Sequence, residues 1–151
     1  MSNVEQKLQA MGLKLPACPA PVAAYLPVQT AGNLIYASGQ TAWVDGKLLY
    51  AGKVGGDVSV ADAYESAKLS AVNCLSAIAT VADLDQIRIV RVHGWVNGVP
   101  DFGDQPAVVN GASELLEALY GEHGRHARSA IGVGSLPTNA SVEIEIIAEK
   151  L

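Results

Sequence analysis

The sequence predicts an α+β fold in which a mixed β-sheet carries helices packed on one face. Segments with the two-residue period of strands alternate with segments of helical period, in the order helix, strands, helix, strand, helix and two strands. Hairpins produce antiparallel neighbours, whereas strand–helix–strand crossovers produce parallel ones, so the sheet is expected to be mixed. The chain of 151 residues has the length of one domain, which we assign to residues 1–151.

The first twenty residues predict a short helix followed by an extended lead-in. Ser2 and Glu5 have the spacing of a capping box, and Gly12 suits the left-handed position that follows a helix. Three prolines come next, and they favour an extended and irregular chain: Pro16, Pro19 and Pro21. We therefore assign residues 1–20 to an N-terminal helix and a proline-rich lead-in.

Two hairpins are predicted before the first long helix. Residues 22–29 and 33–38 have the composition of strands and meet near Gly32. Asp45 and Gly46 separate two further short apolar segments, and this dipeptide strongly favours a tight hairpin turn.

Two long segments have the period of amphipathic helices. The first begins after Ser59, and its apolar stripe consists of Tyr64, Ala67, Ala71, Leu75, Ile78 and Ala82. The second begins at an N-cap predicted at Asp104 and ends at Gly121. The stripes predict that both helices pack against the sheet.

The strand predicted over residues 86–97 alternates without interruption. One face would carry Ile87, Ile89, Arg91, His93 and Trp95, and the other Arg88, Val90, Val92 and Val96. We interpret His93 as packed or interfacial rather than catalytic. The other two histidines, His123 and His126, fall in a polar loop and are interpreted as solvated.

Charge and motif content exclude several function classes. The net charge is -5 and no Lys/Arg cluster occurs, so nucleic-acid binding is not expected. No apolar run approaches the ~20 residues of a transmembrane helix. No phosphate-binding loop, dinucleotide fingerprint or metal-ligand spacing is present, so we expect neither metal nor cofactor. We expect a cytoplasmic protein.

The low charge also bears on assembly. Only 17% of the residues are charged and 50% are hydrophobic, which leaves few polar side chains to cover the surface. Burial of apolar surface between copies of the chain would explain this balance, because obligate interfaces resemble a domain core. The alternative is a monomer with an apolar-rich surface.

Arg128 is the first candidate ligand-binding residue. On the strand predicted over residues 128–135 it shares a face with Ala130, Gly132 and Gly134, which leaves room beside the guanidinium. The planar fork of donors suits a carboxylate. An ordinary ion pair with a nearby Asp or Glu is the alternative, and the local pattern leaves both open.

Two glutamates share one face of the last predicted strand, residues 141–149. Glu143 and Glu145 alternate there with apolar residues. By itself this pattern predicts the solvated face of an edge strand. The glutamates become candidates for chemistry if Arg128 lies on a neighbouring strand.

At these residues the sequence resembles the RidA/YjgF family, which is often labelled endoribonuclease L-PSP. Two blocks carry the resemblance: a C-terminal block with His126-Ala127-Arg128-Ser129, Gly134, Leu136-Pro137 and Val142-Glu143-Ile144-Glu145, and an upstream block from Gly32 to Gln40 with Gly32-Asn33 and Ser38-Gly39-Gln40. Together with the spacing between them, the blocks cover about residues 20–150.

The resemblance implies a RidA-like, chorismate-mutase-like fold with two long helices on one face of the sheet. It also implies a homotrimer with ligand clefts between subunits. The family's best-known activity is hydrolysis of reactive enamine and imine intermediates of the 2-imino acid type to 2-keto acids and ammonia, without metal or organic cofactor. A carboxylate that acts through water suits this chemistry as general acid or base.

The resemblance also implies roles for individual residues. Arg128 matches the arginine that binds the substrate carboxylate, and Glu143 matches the glutamate that positions the attacking water. Tyr25 aligns with a tyrosine at the cleft. Ser38 and Asn110 match residues that line it.

Two positions depart from the family pattern near the implied cleft. Ala130 stands where active deaminases commonly have cysteine, and it could contribute a backbone donor to substrate binding. His126 stands where family members usually have proline. We interpret the chain as a member of a longer subgroup.

Two functions follow from this comparison. The first is hydrolytic deamination of small 2-imino acids. The alternative is a non-catalytic protein that binds a small carboxylate metabolite in a regulatory or protective role. Ribonuclease activity is not expected, because neither a catalytic histidine pair nor a basic surface is present.

Overall fold

The computed structural model describes residues 1–151 and contains three α-helices and seven strands. In chain order these are α1 (Asn3–Ala10), β1 (Val28–Ala31), β2 (Leu34–Ala37), β3 (Trp43–Val44), β4 (Lys47–Leu48), α2 (Val60–Ile78), β5 (Ile87–Asn97), α3 (Gln105–Tyr120), β6 (Ala127–Val133) and β7 (Val142–Lys150). The element order and the α+β class predicted from the sequence are confirmed. None of the helices has the combination of length and hydrophobicity that crossing a bilayer requires.

Five strands form one mixed sheet in the order β1-β2-β7-β5-β6, while β3 and β4 form a separate hairpin. β5 and β6 are parallel, and the other neighbours in the sheet are antiparallel. β7 lies between β2 and β5, so the interpretation of residues 141–149 as an edge strand is wrong. In this position β7 pairs along both edges, which satisfies backbone groups that an edge strand would leave open.

Local signals position the helices and the hairpin as expected. Ser59 Oγ accepts a hydrogen bond from the Asp62 backbone N–H at the start of α2, and Ser2 and Glu5 form the predicted capping box. Asp45 and Gly46 both have positive φ, as a tight hairpin turn requires. Asp104 occupies the N-cap of α3 without a capping bond from its side chain.

The hydrophobic core lies between the sheet and the two long helices. It joins fully buried residues of the sheet to fully buried residues of the helices: Ile35, Val92, Val96, Val142, Ile144 and Ile146 on one side, and Ala67, Ala71, Leu75, Ala112 and Leu116 on the other. Most of the stripe predicted for α2 therefore faces the sheet, whereas Tyr64 is only partly buried and Ala82 lies beyond the end of the helix. The opposite face of the sheet carries no helix.

A β-bulge in β5 corrects the predicted alternation. The register against β7 shifts between Ile89 and Arg91. One extra residue there reverses the facing of everything that follows. Ile87 and Ile89 are consequently buried with Val92 in the core, whereas His93 and Trp95 lie on the helix-free face.

The first predicted strand is also shorter than expected. β1 begins at Val28, and residues 22–25 form exposed bends instead. Pro21 and Pro27 lie at either end of these bends, and proline has no N–H to donate to a strand ladder.

Candidate functional site

Arg128 projects from β6 toward α3. Its Nη1 donates to Asn110 Oδ1 at 2.7 Å and to Ser113 Oγ at 3.3 Å, and its Nη2 lies 3.5 Å from the Pro106 carbonyl oxygen. The ion pairs of the chain are Lys68–Glu65, Arg88–Glu149 and Arg125–Glu122, so no carboxylate neutralises this guanidinium. The alternative of a local ion pair is therefore wrong for Arg128.

The bonds of Arg128 leave one edge of the guanidinium available. Nη1 is engaged by two side chains, while Nε has no partner in the chain and Nη2 has only the long contact to Pro106. An Nε–Nη2 edge presents two parallel donors, which is the arrangement that binds a carboxylate in bidentate fashion. Ala130 lies two residues further along the same face of β6 and packs against the core.

Sequence inspection missed two residues beside Arg128. Ser113 Oγ lies 2.9 Å from His126 Nε2, and His126 Nδ1 lies 2.6 Å from the Gly124 carbonyl oxygen. His126 is half-buried, so its interpretation as a solvated loop residue is wrong. The three-residue spacing of Asn110 and Ser113, which places both on one face of a helix, is the signal that could have identified Ser113.

Glu143 projects from β7 on the other side of the sheet. Its carboxylate packs against Gly39: a methyl group on Gly39 would lie 2.8 Å from Glu143 Oε2 and 2.9 Å from Cδ. Burial raises the pKa of Glu143, and the charge of Glu145 raises it further. A carboxyl group with a raised pKa is better suited to exchange protons near neutral pH than an exposed one.

The segment from Ser38 to Gln40 connects Glu143 to the loop that contains Tyr25 and precedes β1. Ser38 Oγ donates to the Leu26 carbonyl oxygen at 2.6 Å, and Gln40 pairs with Ile144 through two backbone hydrogen bonds of 2.8 and 2.9 Å. Tyr25 itself is 48% exposed. Ser38 and Glu143 are thus linked through one short segment, which also contacts Leu26, the residue after Tyr25.

Arg128 and Glu143 do not meet within one chain. β5 lies between their strands, where Val92 pairs with Arg128 and Trp95 pairs with Glu143. The two residues are therefore separated by roughly 10 Å along the strands and about 9.5 Å across them. They also point to opposite faces. The condition set for the glutamates, that Arg128 lies on a neighbouring strand, is therefore not met within one chain.

The helix-free face combines apolar and polar residues without a covering element. Tyr36 and Ile131 are 41% and 45% exposed there. His93 and Trp95 stack with ring centroids 4.1 Å apart, which agrees with the interpretation of His93 as a packed residue. The buried His93 Nε2 has no hydrogen-bond partner. An exposed apolar surface of this kind is typical of a protein–protein interface.

Two surface cavities of the chain lie away from both candidate groups. One, of about 380 Å³, is lined by charged residues that include Arg88 and Glu149. The other, of about 310 Å³, lies between Lys53 and Phe102. Neither is lined by Arg128 or Glu143. No three His, Cys, Asp or Glu side chains are close enough together to hold a metal ion.

Comparisons with known proteins match nearly the whole chain to one protein family. Residues 5–150 match the model of the YjgF/chorismate mutase-like endoribonuclease family. The crystal structure of the Agrobacterium tumefaciens protein Atu1372 is 45% identical with a TM-score of 0.91, and the match covers 99% of this chain and 93% of that one.

Two curated proteins also match over nearly their whole length. Protein TCP17 of Trypanosoma cruzi is 37% identical over 150 residues, covering 97% of this chain and 94% of the relative. The 2-iminobutanoate/2-iminopropanoate deaminase of Dermatophagoides farinae is 26% identical over 135 residues, covering 89% of this chain and 92% of the relative.

Proposed function

The chain belongs to the YjgF/chorismate mutase-like family, also called RidA/YjgF, and from this membership we propose that it hydrolyses small 2-imino acids and their enamine tautomers to 2-keto acids and ammonia. The observation that carries the proposal is Arg128, a half-buried guanidinium with no carboxylate partner and one open edge of donors. The similarity to the deaminase of Dermatophagoides farinae supports the choice of substrate class.

In the proposed reaction, Arg128 binds the substrate carboxylate through Nε and Nη2, and Asn110 holds Nη1. A backbone N–H near Ala130 is a further donor to the substrate.

The chemical steps follow from this binding mode. Water adds to the imine carbon and the nitrogen takes up a proton. The hydroxyl proton of the resulting carbinolamine then passes to its nitrogen as the C–N bond breaks, so that ammonia leaves and the 2-keto acid remains. Glu143 positions the water and accepts its proton, a role that its raised pKa favours. Tyr25 and Ser38 line the cleft beside it.

We further propose that the site forms between copies of the chain in a homotrimer. Arg128 and Glu143 lie on opposite faces of the sheet, so one small substrate can contact both only if they come from different subunits. The uncovered face with Tyr36, Trp95 and Ile131 supplies apolar surface for such contacts. In a closed ring of three, each interface would contain one cleft.

Complementation between inactive variants tests this arrangement directly. Arg128→Ala and Glu143→Gln are each expected to abolish most of the keto-acid release from 2-aminoacrylate or 2-iminobutanoate, supplied by a coupled enzyme. When the two variants are co-expressed, about one quarter of the clefts in randomly mixed trimers would contain both native residues, so about a quarter of the activity should return. The Arg128→Ala/Glu143→Gln double variant, treated identically, is the inactive control.

Two other results would argue against the intersubunit site or against the deaminase activity. No recovery in mixed trimers would refute an intersubunit site. Wild-type protein that binds 2-keto acids but releases no ammonia from any imino acid would refute the deaminase and favour a non-catalytic metabolite-binding role.

A further inference from the structure

We propose that Ser113 and His126 are positioning residues that hold the Arg128 guanidinium in the orientation that binds a carboxylate. The inference rests on the proposed function, because it concerns the same arginine. It adds two residues to those that the resemblance implied for the cleft.

Each hydrogen bond of the series donates in the same direction, from the arginine toward the backbone. The Gly124 carbonyl oxygen can only accept, so His126 Nδ1, 2.6 Å away, carries a hydrogen. In the neutral ring Nε2 is then an acceptor, and it takes the hydroxyl hydrogen of Ser113 at 2.9 Å. The lone pairs of Ser113 Oγ are thereby directed away from the imidazole, toward Arg128 Nη1 at 3.3 Å.

The Gly124 carbonyl group, which is the last acceptor of this series of hydrogen bonds, is held rigidly. Gly124 is buried against α3, and a methyl group on it would lie 2.2 Å from the Leu116 carbonyl oxygen. The turn that contains Gly124 therefore rests directly on the helix backbone. Since Asn110 and Ser113 belong to the same helix, the carbonyl that orients His126 and the side chains that contact Arg128 share one rigid support.

The consequence for Arg128 is a restricted guanidinium. Two acceptors on α3 hold Nη1, and this fixes the plane in which Nε and Nη2 present their hydrogens. An arginine side chain otherwise loses considerable rotamer freedom on binding. Because the Arg128 side chain is already restricted before the ligand binds, less side-chain entropy is lost on binding, and this strengthens ligand binding. A side chain without an acceptor at position 126 could not take the Ser113 hydroxyl hydrogen, so this arrangement depends on the histidine.

The test measures binding of 2-oxobutanoate to the assembled protein by calorimetry. Ser113→Ala and His126→Phe should each weaken binding about three- to tenfold, the effect of one lost hydrogen bond. Ser113→Thr keeps the hydroxyl and should bind within about twofold of wild type. The Ser113→Ala/His126→Phe double variant should lose little more than either single one, because the residues act in series. His123→Ala is the matched control, since His123 is exposed and contacts no part of the series.

Further readouts distinguish positioning from a general loss of stability. In turnover assays Ser113→Ala should raise KM far more than it lowers kcat. Nitrogen NMR of the Arg128 guanidinium, recorded without ligand, should show slow Nη rotation in wild type and faster rotation in Ser113→Ala. Unchanged rotation together with unchanged affinity would overturn the inference. Wild-type protein that fails to bind 2-oxobutanoate while its Arg128 signal stays restricted would instead count against the proposed function.

Discussion

Arg88 and Arg125 pair with neighbouring glutamates, whereas Arg128 contacts only neutral groups. We expect Arg128→Ala to lose binding of 2-keto acids, with a free-energy cost on the order of 1.5–3 kcal/mol for the missing charge-assisted contact. Arg128→Lys should recover little of it, because an ammonium cannot reproduce the two parallel donors. Calorimetric titration of both variants, with thermal unfolding as the check on folding, measures this. Wild-type affinity in both would assign Arg128 a structural role.

Glu143 and Glu145 share a face of β7, but only Glu143 packs against Gly39 in the Ser38-Gly39-Gln40 segment. Glu143→Gln should therefore depress kcat strongly while leaving the affinity for 2-keto acids unchanged. Glu145→Gln is the matched control and should retain most of its turnover, since its carboxyl lies one full pleat repeat, roughly 6.7 Å, further along the strand. Equal losses of kcat in the two variants would contradict the assignment.

The raised pKa of Glu143 has a consequence for stability. Burial and the Glu145 charge disfavour the ionised form in the folded chain. The stability contributed by Glu143 is thus fully present below the unfolded pKa of ~4.3 and is lost as the pH rises through the higher folded value. Glu143→Gln should accordingly raise Tm at pH 8 and have little effect at pH 4. Scanning calorimetry at the two pH values checks the sign, and a lowered Tm at pH 8 would reveal a cation beside Glu143 in the assembly.

At the scale of elements, the contact of α2 with α3 depends on Gly111. A methyl group at this position would lie 1.9 Å from the Tyr64 carbonyl oxygen and 3.2 Å from Ala67 Cβ. Gly111→Ala should lower the free energy of unfolding by about 1–3 kcal/mol through overpacking, although alanine favours a helix by ~1 kcal/mol. Urea unfolding at fixed protein concentration tests this. Gly103→Ala is the control, because nothing lies within 4 Å of the added methyl.

The elements also show why some sequence predictions succeeded. Capping residues, the Asp45-Gly46 turn and the apolar stripe of α2 act over a few residues, so their signals are visible in the sequence. The bulge between Ile89 and Arg91 is invisible there, because a run of strand-forming residues is compatible with an uninterrupted alternation. The core decides instead, since Ile89 and Val92 are both needed on the helix side.

For the whole molecule, we expect light scattering after size exclusion to give a mass near three times 15.7 kDa. Ile131→Glu introduces a charge on the helix-free face and should yield smaller species that remain folded by circular dichroism. Val81→Glu is a suitable control: Val81 is 37% exposed but lies just after α2, on the helix side. A wild-type mass of one chain at micromolar concentration would remove the proposed intersubunit cleft.

The sequence by itself determined the class of the fold, the positions of the helices and most strands, and the side chains that are candidates for ligand binding, because these follow from local periodicity, turn residues and side-chain type. Only the tertiary structure decided the strand order. It placed β5 between β6 and β7, turned Arg128 and Glu143 to opposite faces, and brought Ser113 and His126 to the arginine. The reason is physical: pairing among strands distant in sequence depends on which edges and apolar faces the other elements leave open, and no local signal records that choice.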